Sequence, residues 1–400
     1  MERTLRNARV ATFVYFALNG FLLGMWVVHI PAVAHAVGIG HAALGWLLLL
    51  LGLGAFAGMQ LAGPLTDRLG ARTVVPLGAA LCSAAVVLPG LAVDTWTLGA
   101  ALLLLGFGNG CLDVSMNAHA VQVESGYGRP VMSAFHATFS LGGVLAALIG
   151  ARTLSGGLPP KATLAAAAVL SLVVAGVTAR ALLPAAARAA TAPDAGTAES
   201  TRRRTPRRIW ILAALALMLM LCEGVANDWS VLHLRDVLDA PAATAALAYG
   251  AFSTAMTAGR LLADRLTGRF GAVAILRHGS AVAALGLTAA ALSPWIPLAL
   301  AGWAVFGAGL SGCIPQLFSA AGHADSDAAG VNVSRVAGLG YLGMLAGPAV
   351  IGPLTHLVPL NLTFLLPVAF CVVAAGAAGI LREPVPEPTR PGVRPRTETV

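Results

Sequence analysis

The chain has 400 residues, of which 58% are hydrophobic and only 10% are charged, and its formal net charge is +8. A soluble domain carries about 25% charged residues, so the composition excludes an ordinary soluble protein and indicates one that crosses a bilayer many times. The positive charge does not indicate a nucleic-acid partner, because the basic residues lie in short runs between apolar segments rather than on one phosphate-binding face.

Twelve apolar segments follow one another, each near the length of about 20 residues that a bilayer requires. They cover residues 10–33, 43–64, 74–93, 97–120, 130–152, 162–183, 209–233, 243–263, 272–292, 295–318, 328–353 and 360–381. The sequence therefore predicts an N-terminal six-helix bundle over 1–183 and a C-terminal one over 209–381. Residues 184–208, which are small, polar and then basic, are predicted to form a flexible linker, and residues 382–400 a disordered tail.

The distribution of basic residues predicts the orientation in the membrane. Three arginines precede the first apolar segment as in a signal peptide, but the segment is long enough to span and is interpreted as the first transmembrane helix. Of the 25 Lys and Arg residues, only Arg152, Lys161 and Arg235 fall in loops on one side. The positive-inside rule places both termini and the linker on the other side, in the cytoplasm.

The fourth segment carries an ionisable residue in the middle of a span. Asn109, Asp113 and Asn117 are spaced four residues apart, which places them on one stripe of an α-helix. A carboxylate in hydrocarbon costs at least ~2.5 kcal/mol, so Asp113 is expected to face a watery cavity or a partner. The alternative is a plain hydrogen bond from Asp113 to a neighbouring helix.

Other polar residues inside the spans are candidates for lining the same cavity. In the seventh segment Glu223 and Asn227 share a helix face, and Glu223 is a second candidate titrating group. We add Asn19, His136 and Gln316, each of which lies inside an apolar segment. A single buried histidine is more often a packing residue than a ligand, and this reading stays open for His136.

The loop after the second segment carries the most specific motif. Gly63-Pro-Leu-Thr-Asp67-Arg68-Leu-Gly70-Ala-Arg72 resembles the G-x-x-x-D-R-x-G-x-R signature of the major facilitator superfamily. The resemblance implies an all-α membrane protein of twelve transmembrane helices arranged as two pseudo-symmetric six-helix bundles. It also implies that this loop contributes to a cytoplasmic gate.

Physical reasoning adds expectations for individual gate residues. We expect Asp67 to lie against a helix N-terminus or an arginine. Arg335, near the cytoplasmic end of the eleventh segment, is added to the gate as a side chain that extends to the membrane surface or pairs with Asp67, with contact to the substrate as the alternative.

The corresponding loop of the second half is a degenerate copy of this motif. Its glycine and basic positions survive between Gly259 and Gly271, but Asp264 is displaced in register. The displacement weakens the case for a second gate contact. Arg260, four residues before Asp264, is interpreted as its helix-end ion-pair partner.

Two further segments resemble one branch of that superfamily. Gly108 to Asn117 is similar to the fourth helix of fucose-permease-like sugar/proton symporters, which carry an acidic residue at the place of Asp113. Residues 223–229, reading EGVANDW, resemble a stretch of the seventh helix in that branch. Bacterial inner-membrane members without an assigned substrate look closer still. The acidic residue that the sugar symporters carry in the first helix is missing here.

These observations predict a proton-coupled secondary active transporter for a small polar solute, with Asp113 and Glu223 as proton carriers. It is expected to be a monomer in a bacterial inner membrane, with the solute, protons and the bilayer as partners. The alternatives are an exporter of drugs or amphipathic metabolites and a transport-dead sensor or scaffold. Walker A, GxSxG and HExxH motifs are absent, and the five cysteines lack CxxC spacing. We therefore expect no enzyme activity, no cofactor and no metal site.

Overall fold

The computed structural model describes residues 2–39, 41–184 and 205–382, and this part of the chain is helical without a β-strand. Most of the predicted linker and nearly all of the predicted tail lie outside the described residues. The first half contains α1 (Glu2–Val37), α2 (His41–Leu69), α3 (Ala71–Ala85), α4 (Thr95–Tyr127), α5 (Met132–Ser155) and α6 (Pro160–Ala179). The second half contains α7 (Arg207–Val237), α8 (Ala242–Phe270), α9 (Ala272–Leu292), α10 (Ile296–Leu310), α11 (Cys313–His323), α12 (Ala329–Leu354), α13 (Leu360–Thr363) and α14 (Leu365–Ala377).

The helices account for twelve membrane spans, which confirms the predicted fold class. Ten stretches of the described chain are long and apolar enough to cross a bilayer by length and composition. Two more helices, α8 with 29 residues and α12 with 26, have the length of a span and pack between the others. The tenth predicted span is two helices rather than one, because α10 and α11 are separated by a break at Ser311 and Gly312.

Chain direction defines the two faces of the bundle. We call the face at which α1 begins the N-terminal face; α2, α4, α8 and α11 end there, and α5, α7 and α12 begin there. The other face is the opposite face. Large apolar side chains such as Leu103, Leu141, Val169 and Leu285 are exposed on the outside of the helices. An exposed apolar surface of this extent is expected for helices that face lipid.

Each half has its own apolar core. One cluster is formed by α1 to α6 around Trp26 and Phe135. The other fills the second half around Trp303 and Phe306, and it continues into the first half through residues of α2 and α4 such as Met59. The two halves are packed together mainly through α2 against α12 and α5 against α8, and α4 adds contacts to α12 and α11.

Close approach of α2 and α4 depends on glycine in α4. A Cβ atom on Gly106 or Gly110 would collide with the backbone carbonyls of Leu51 and Ala55. Small residues allow helix backbones to approach within a membrane, where van der Waals packing drives association. This contact places the polar stripe of α4 beside α2 and close to the other half of the molecule.

Candidate functional site

The first polar cluster lies at the N-terminal face, where α2 of the first half meets α12 of the second. The Asp67 carboxylate accepts hydrogen bonds from the backbone N–H groups of Gly330 at 2.7 Å and Val331 at 2.9 Å. These amides belong to the first turn of α12 and have no intrahelical acceptor. The Arg335 guanidinium lies within electrostatic range of the same carboxylate. Asp67 thus caps a helix N-terminus, and the charge of Arg335 lies close enough to act on it. We call this contact the α2–α12 latch.

Gly63, one turn before Asp67, brings α2 close enough for this contact. A Cβ atom at Gly63 would lie 2.6 Å from the Ser334 hydroxyl oxygen and 2.9 Å from the Gly330 carbonyl oxygen. Only glycine fits this position without moving the backbone of α12.

The remaining motif residues of this loop lie outside the α2–α12 latch itself. Gly70 ends α2 with a φ of 80°, in the left-handed region that favours glycine. Arg68 and Arg72 are exposed at the N-terminal face. The structure brings Gly63, Asp67 and Arg335 together, and it leaves these two arginines at the surface.

A second latch joins the halves through Asp264, contrary to the expectation from sequence. The Asp264 carboxylate in α8 accepts hydrogen bonds from the backbone N–H groups of Ser133 at 2.9 Å and Ala134 at 2.7 Å, in the first turn of α5. The register argument was misleading because α8 continues for six residues beyond Asp264 and then ends at Gly271, whose φ is 83°. The turn glycine has moved along the chain while the aspartate has kept its place on the helix. We call this contact the α8–α5 latch.

Glu124 adds a further carboxylate at the start of α5. Its Oε2 atom accepts hydrogen bonds from the N–H groups of Val131 and Met132, both at 2.9 Å, and its Oε1 atom accepts one from the Ser319 hydroxyl of α11. Glu124 is therefore buried with both oxygens bonded, and it links the first half to the second. Sequence reasoning missed this residue because it lies at the end of a predicted span, where a carboxylate is expected to be solvated.

The second cluster lies deeper in the bundle and centres on Arg260 of α8. The Arg260 guanidinium lies 3.4 Å from Glu223 Oε1 of α7 and donates a hydrogen bond at 3.1 Å to the Ser140 hydroxyl of α5. The predicted pair between Arg260 and Asp264 is therefore wrong. Asp264 is occupied by the start of α5, while Arg260 points into the centre of the bundle and reaches both halves.

His136 borders this cluster from the first half. One ring nitrogen, Nδ1, is 3.1 Å from the Met132 carbonyl oxygen, which fixes the proton on Nδ1. The ring packs between Phe16 and Phe318, with centroid distances of 5.2 and 5.9 Å, and it lies within electrostatic range of Arg260. His136 thus lies at the interface between the halves, with Nε2 left as its acceptor.

Asp113 lies on α4 inside the bundle rather than at the lipid surface, and 6% of the residue is exposed. The Asn117 side chain donates to its Oδ1 atom at 3.3 Å, whereas Oδ2 is buried and has no hydrogen-bond partner among the described residues. The Tyr341 hydroxyl of α12 lies beside Asn109 and within electrostatic range of both Asp113 and Glu223. Tyr341 thus connects the α4 stripe to the Arg260 cluster.

The other predicted cavity residues are more scattered. Asn227 is exposed one helical turn beyond Glu223, towards the opposite face. Gln316 lies nearer the N-terminal face, where it lines a polar cavity of about 580 Å³ together with Glu124 and His323. Asn19 is fully buried in the first half, with neither side-chain atom hydrogen-bonded within the described ranges. The structure brings Asp113, Asn109, Asn117, Glu223 and His136 to one central region and leaves Gln316 apart from it.

Comparison with known proteins decides the family. The sequence model of the Major Facilitator Superfamily matches residues 11–348. The chain belongs to the major facilitator superfamily.

Sequence relatives of this superfamily member agree with that assignment. The uncharacterized transporter y4wD of Sinorhizobium fredii is 34% identical and covers 92% of the chain and 96% of its own length. An uncharacterized MFS-type transporter of Yersinia pestis is 32% identical over 94% of the chain and 96% of its own length. The protein is accordingly a membrane transporter.

Solved structures of the superfamily share the fold. The transporter FucP in its outward conformation matches with a TM-score of 0.78 at 16% identity, covering 94% of this chain and 98% of that one. The human organic anion transporter MFSD10 matches with a TM-score of 0.71 at 16% identity, covering 94% and 99%. At these identities the likeness concerns the fold, so the role of each central residue is argued from its own chemistry.

Three central or latch residues of this transporter were not identified as such from sequence: Glu124, Arg260 and Tyr341. Each lies in a predicted span or at its end, and the periodicity of one helix does not reveal which neighbour it faces. The one available signal was Arg260, since an arginine inside a span is costly unless it has a partner.

Proposed function

We propose that this transporter is a proton-coupled secondary active transporter that moves a small polar solute by alternating access, with Asp113 as the proton carrier. The observation that carries the proposal is the Asp113 side chain itself, which is buried and whose Oδ2 has no hydrogen-bond partner among the described residues. A buried carboxylate without a cation or a full set of donors is stabilised by taking up a proton, and rehydration favours its release. Opening to the two faces in turn would therefore couple proton occupancy to conformation.

The polar character of the central region supports a polar solute. Asn109, Asn117, Glu223 and Arg260 offer hydrogen-bonding groups there, and Asn227 continues the polar face of α7 towards the opposite face. Glu223 is the second candidate for a titrating group. A drug exporter would be expected to present a mainly apolar centre, so we favour the polar cargo.

The arginine bias supports the orientation. We take the N-terminal face as the cytoplasmic face of a bacterial inner membrane, with both termini in the cytoplasm and the chain acting as a monomer. The hydrogen bonds that the carboxylates of Asp67, Asp264 and Glu124 accept join the halves at that face. In this conformation the central region would therefore exchange with the outside.

The test of the coupling is Asp113→Asn in proteoliposomes. A ligand is first found by thermal shift of the purified protein against sugars, sugar acids, amino acids and common drugs, since a bound ligand stabilises only the folded state. With one proton per solute, a gradient of one pH unit supports about tenfold accumulation by the wild type. We expect Asp113→Asn to abolish accumulation while it retains counterflow exchange.

Asp94→Asn is the matched control on the same helix. Asp94 is exposed and caps the N-terminus of α4 through the Thr97 N–H, and asparagine caps nearly as well. This variant should accumulate solute like the wild type. Accumulation by Asp113→Asn at the wild-type level would show that Asp113 does not carry the proton.

A further inference from the structure

The Arg260 guanidinium has more hydrogen-bonding capacity than its surroundings use. Arginine has five N–H donors, and the contacts made here are one to the Ser140 hydroxyl and one to Glu223 Oε1. Its Nε atom is buried and has no acceptor among the described residues. The distance of 3.4 Å to Glu223 exceeds the roughly 2.7–2.9 Å of a strong charge-assisted bond. The ion pair is therefore loose and single-pronged, and a fork of donors remains open.

A buried guanidinium is expected to have a binding or structural role that offsets its burial, because removing a charge from water costs several kcal/mol. The bond from Arg260 to Ser140 crosses between the halves, but a neutral donor would serve for that purpose. His136, which also lies within electrostatic range, is neutral or cationic and does not compensate a cation. An anion that enters the cluster would fill the open fork in a bidentate manner, which a carboxylate does well.

The α4 side of the central region has hydrogen-bond acceptors that lack donors. Three buried oxygen atoms there lack hydrogen-bond donors in the described part of the chain: Asn109 Oδ1, Asp113 Oδ2 and Asn117 Oδ1. Tyr341 lies between this stripe and the Arg260 cluster. The central region therefore presents a weakly paired guanidinium with an unused Nε–H donor on the α8 side and acceptors without donors on the α4 side. Hydroxyl groups satisfy such acceptors, and a carboxylate satisfies the cation.

We infer that the transported solute is a small hydroxylated monocarboxylate whose carboxylate binds Arg260 in place of Glu223, while its hydroxyl groups donate to the α4 stripe. This inference rests on the proposed transport function and names its substrate class. Arg260 of α8 lies 3.4 Å from Glu223, and Tyr341 of α12 lies within electrostatic range of both Glu223 and Asp113. Exchange of the solute carboxylate for the Glu223 carboxylate at Arg260 keeps one anion paired with the guanidinium.

The test uses thermal shift of the purified full-length protein with matched acids and neutral analogues. The probes are gluconate against sorbitol, glycerate against glycerol, and galacturonate against galactose, each at equal ionic strength with sodium chloride. At least one acid should raise the Tm of the wild type in a saturable manner, and its neutral analogue should leave the Tm unchanged. Stabilisation by a neutral analogue equal to that by its acid, or no response to any acid, overturns the inference.

Three variants at Glu223 and Arg260 test the roles of these two residues. Glu223→Gln removes the competing carboxylate and should lower the half-saturating acid concentration about tenfold. Arg260→Gln should abolish the response, and Arg260→Lys, which keeps the charge but loses the fork, should raise the half-saturating concentration about tenfold. Arg269→Gln is the control on the same helix, since Arg269 is exposed and stacks on Phe270 at the N-terminal face. Weaker acid binding by Glu223→Gln contradicts the displacement of Glu223.

The outcome is separable from that of the coupling experiment. Thermal shift is measured in detergent, where no proton gradient exists. A neutral sugar that binds and is accumulated through Asp113 would leave the proton coupling intact and overturn the anion assignment. An acid that binds through Arg260 but is still accumulated by Asp113→Asn would support the anion assignment and overturn Asp113 as the proton carrier.

Discussion

The two latches at the N-terminal face are related by the pseudo-symmetry of the halves, yet the helix starts that they hold are stabilised unequally. At the α2–α12 latch, Asp67 of one half binds the amides of Gly330 and Val331 in the other. At the α8–α5 latch, Asp264 binds the next pair of amides after those bound by Glu124, so four consecutive N–H groups of α5 are bonded to carboxylates.

The difference lies in which half provides the carboxylate. Glu124 belongs to the same half as α5, so it stays with that helix when the halves separate. Seven residues before Val131 the chain has Glu124, whereas seven residues before Ala328, the corresponding position of the second half, it has Ala321. The amides of Gly330 and Val331 in α12 are therefore bonded from the other half, with Asp325 of the same half accepting the N–H of Asp327 in the preceding turn, whereas two of the four amides at the start of α5 are bonded from within. Opening of the N-terminal face should consequently expose the first turn of α12 more than that of α5.

The largest expected effect is that of Asp67→Ala, compared with Asp264→Ala. Asp67→Ala removes two charge-assisted bonds worth about 3 kcal/mol together, so the first turn of α12 should exchange its amide hydrogens roughly 100-fold faster. In Asp264→Ala the first turn of α5 keeps Glu124, and its exchange should rise only about tenfold. Hydrogen–deuterium exchange of peptides covering 128–140 and 326–338 measures both.

Asp236→Ala is the control for this pair. Asp236 is exposed and pairs with its neighbour Arg235 away from both latches, so exchange in the two peptides should not change. An equal increase in both latch variants would contradict the inference that Glu124 holds α5 independently.

An intermediate effect is expected from Gly63→Ala. The new Cβ would meet the Gly330 backbone and Ser334, and relieving this overpacking should cost the latched conformation about 1–3 kcal/mol. Exchange at the start of α12 should rise and the Tm in detergent should fall. Gly268→Ala is the matched change near the end of α8, where a Cβ meets open space, and the higher helix propensity of alanine should leave stability unchanged or slightly raised. Equal behaviour of the two variants would exclude close packing as the role of Gly63.

The smallest effect is expected from Ser319→Ala. This change removes the hydroxyl that joins α11 to Glu124 across the halves, while the two amide bonds of Glu124 stay within the first half. The loss of one bond is worth about 1 kcal/mol, or roughly fivefold in exchange of the amides of Val131 and Met132. Thr178→Ala, whose hydroxyl bonds within its own helix α6, should leave these amides unaffected. If exchange of these amides rose as much as exchange at the start of α12 does in Asp67→Ala, Ser319 rather than Asp264 would be the main contact that joins the halves at the start of α5.

Much of the architecture could be predicted because a bilayer imposes simple rules. The spacing of apolar segments indicated twelve spans, and the break between α10 and α11 is the main difference. The motif around Asp67 was recognisable because the aspartate, the turn glycine and the close-packing glycine lie within one short stretch. Asp264 was misjudged for the same reason, since its turn glycine had moved one helical turn further along the chain.

The sequence by itself determined that the protein lies in a membrane, which superfamily it resembles, and that Asp113 and Glu223 lie inside the spans, because hydrocarbon tolerates few charges and each one stands out. Only the tertiary structure decided which partner each charge has. Arg260 lies four residues from Asp264 in sequence, yet it pairs with Glu223 of another helix and reaches Ser140 of the other half. The physical reason is that helical periodicity fixes the face on which a residue lies, whereas the packing of helices distant in sequence fixes what that face meets.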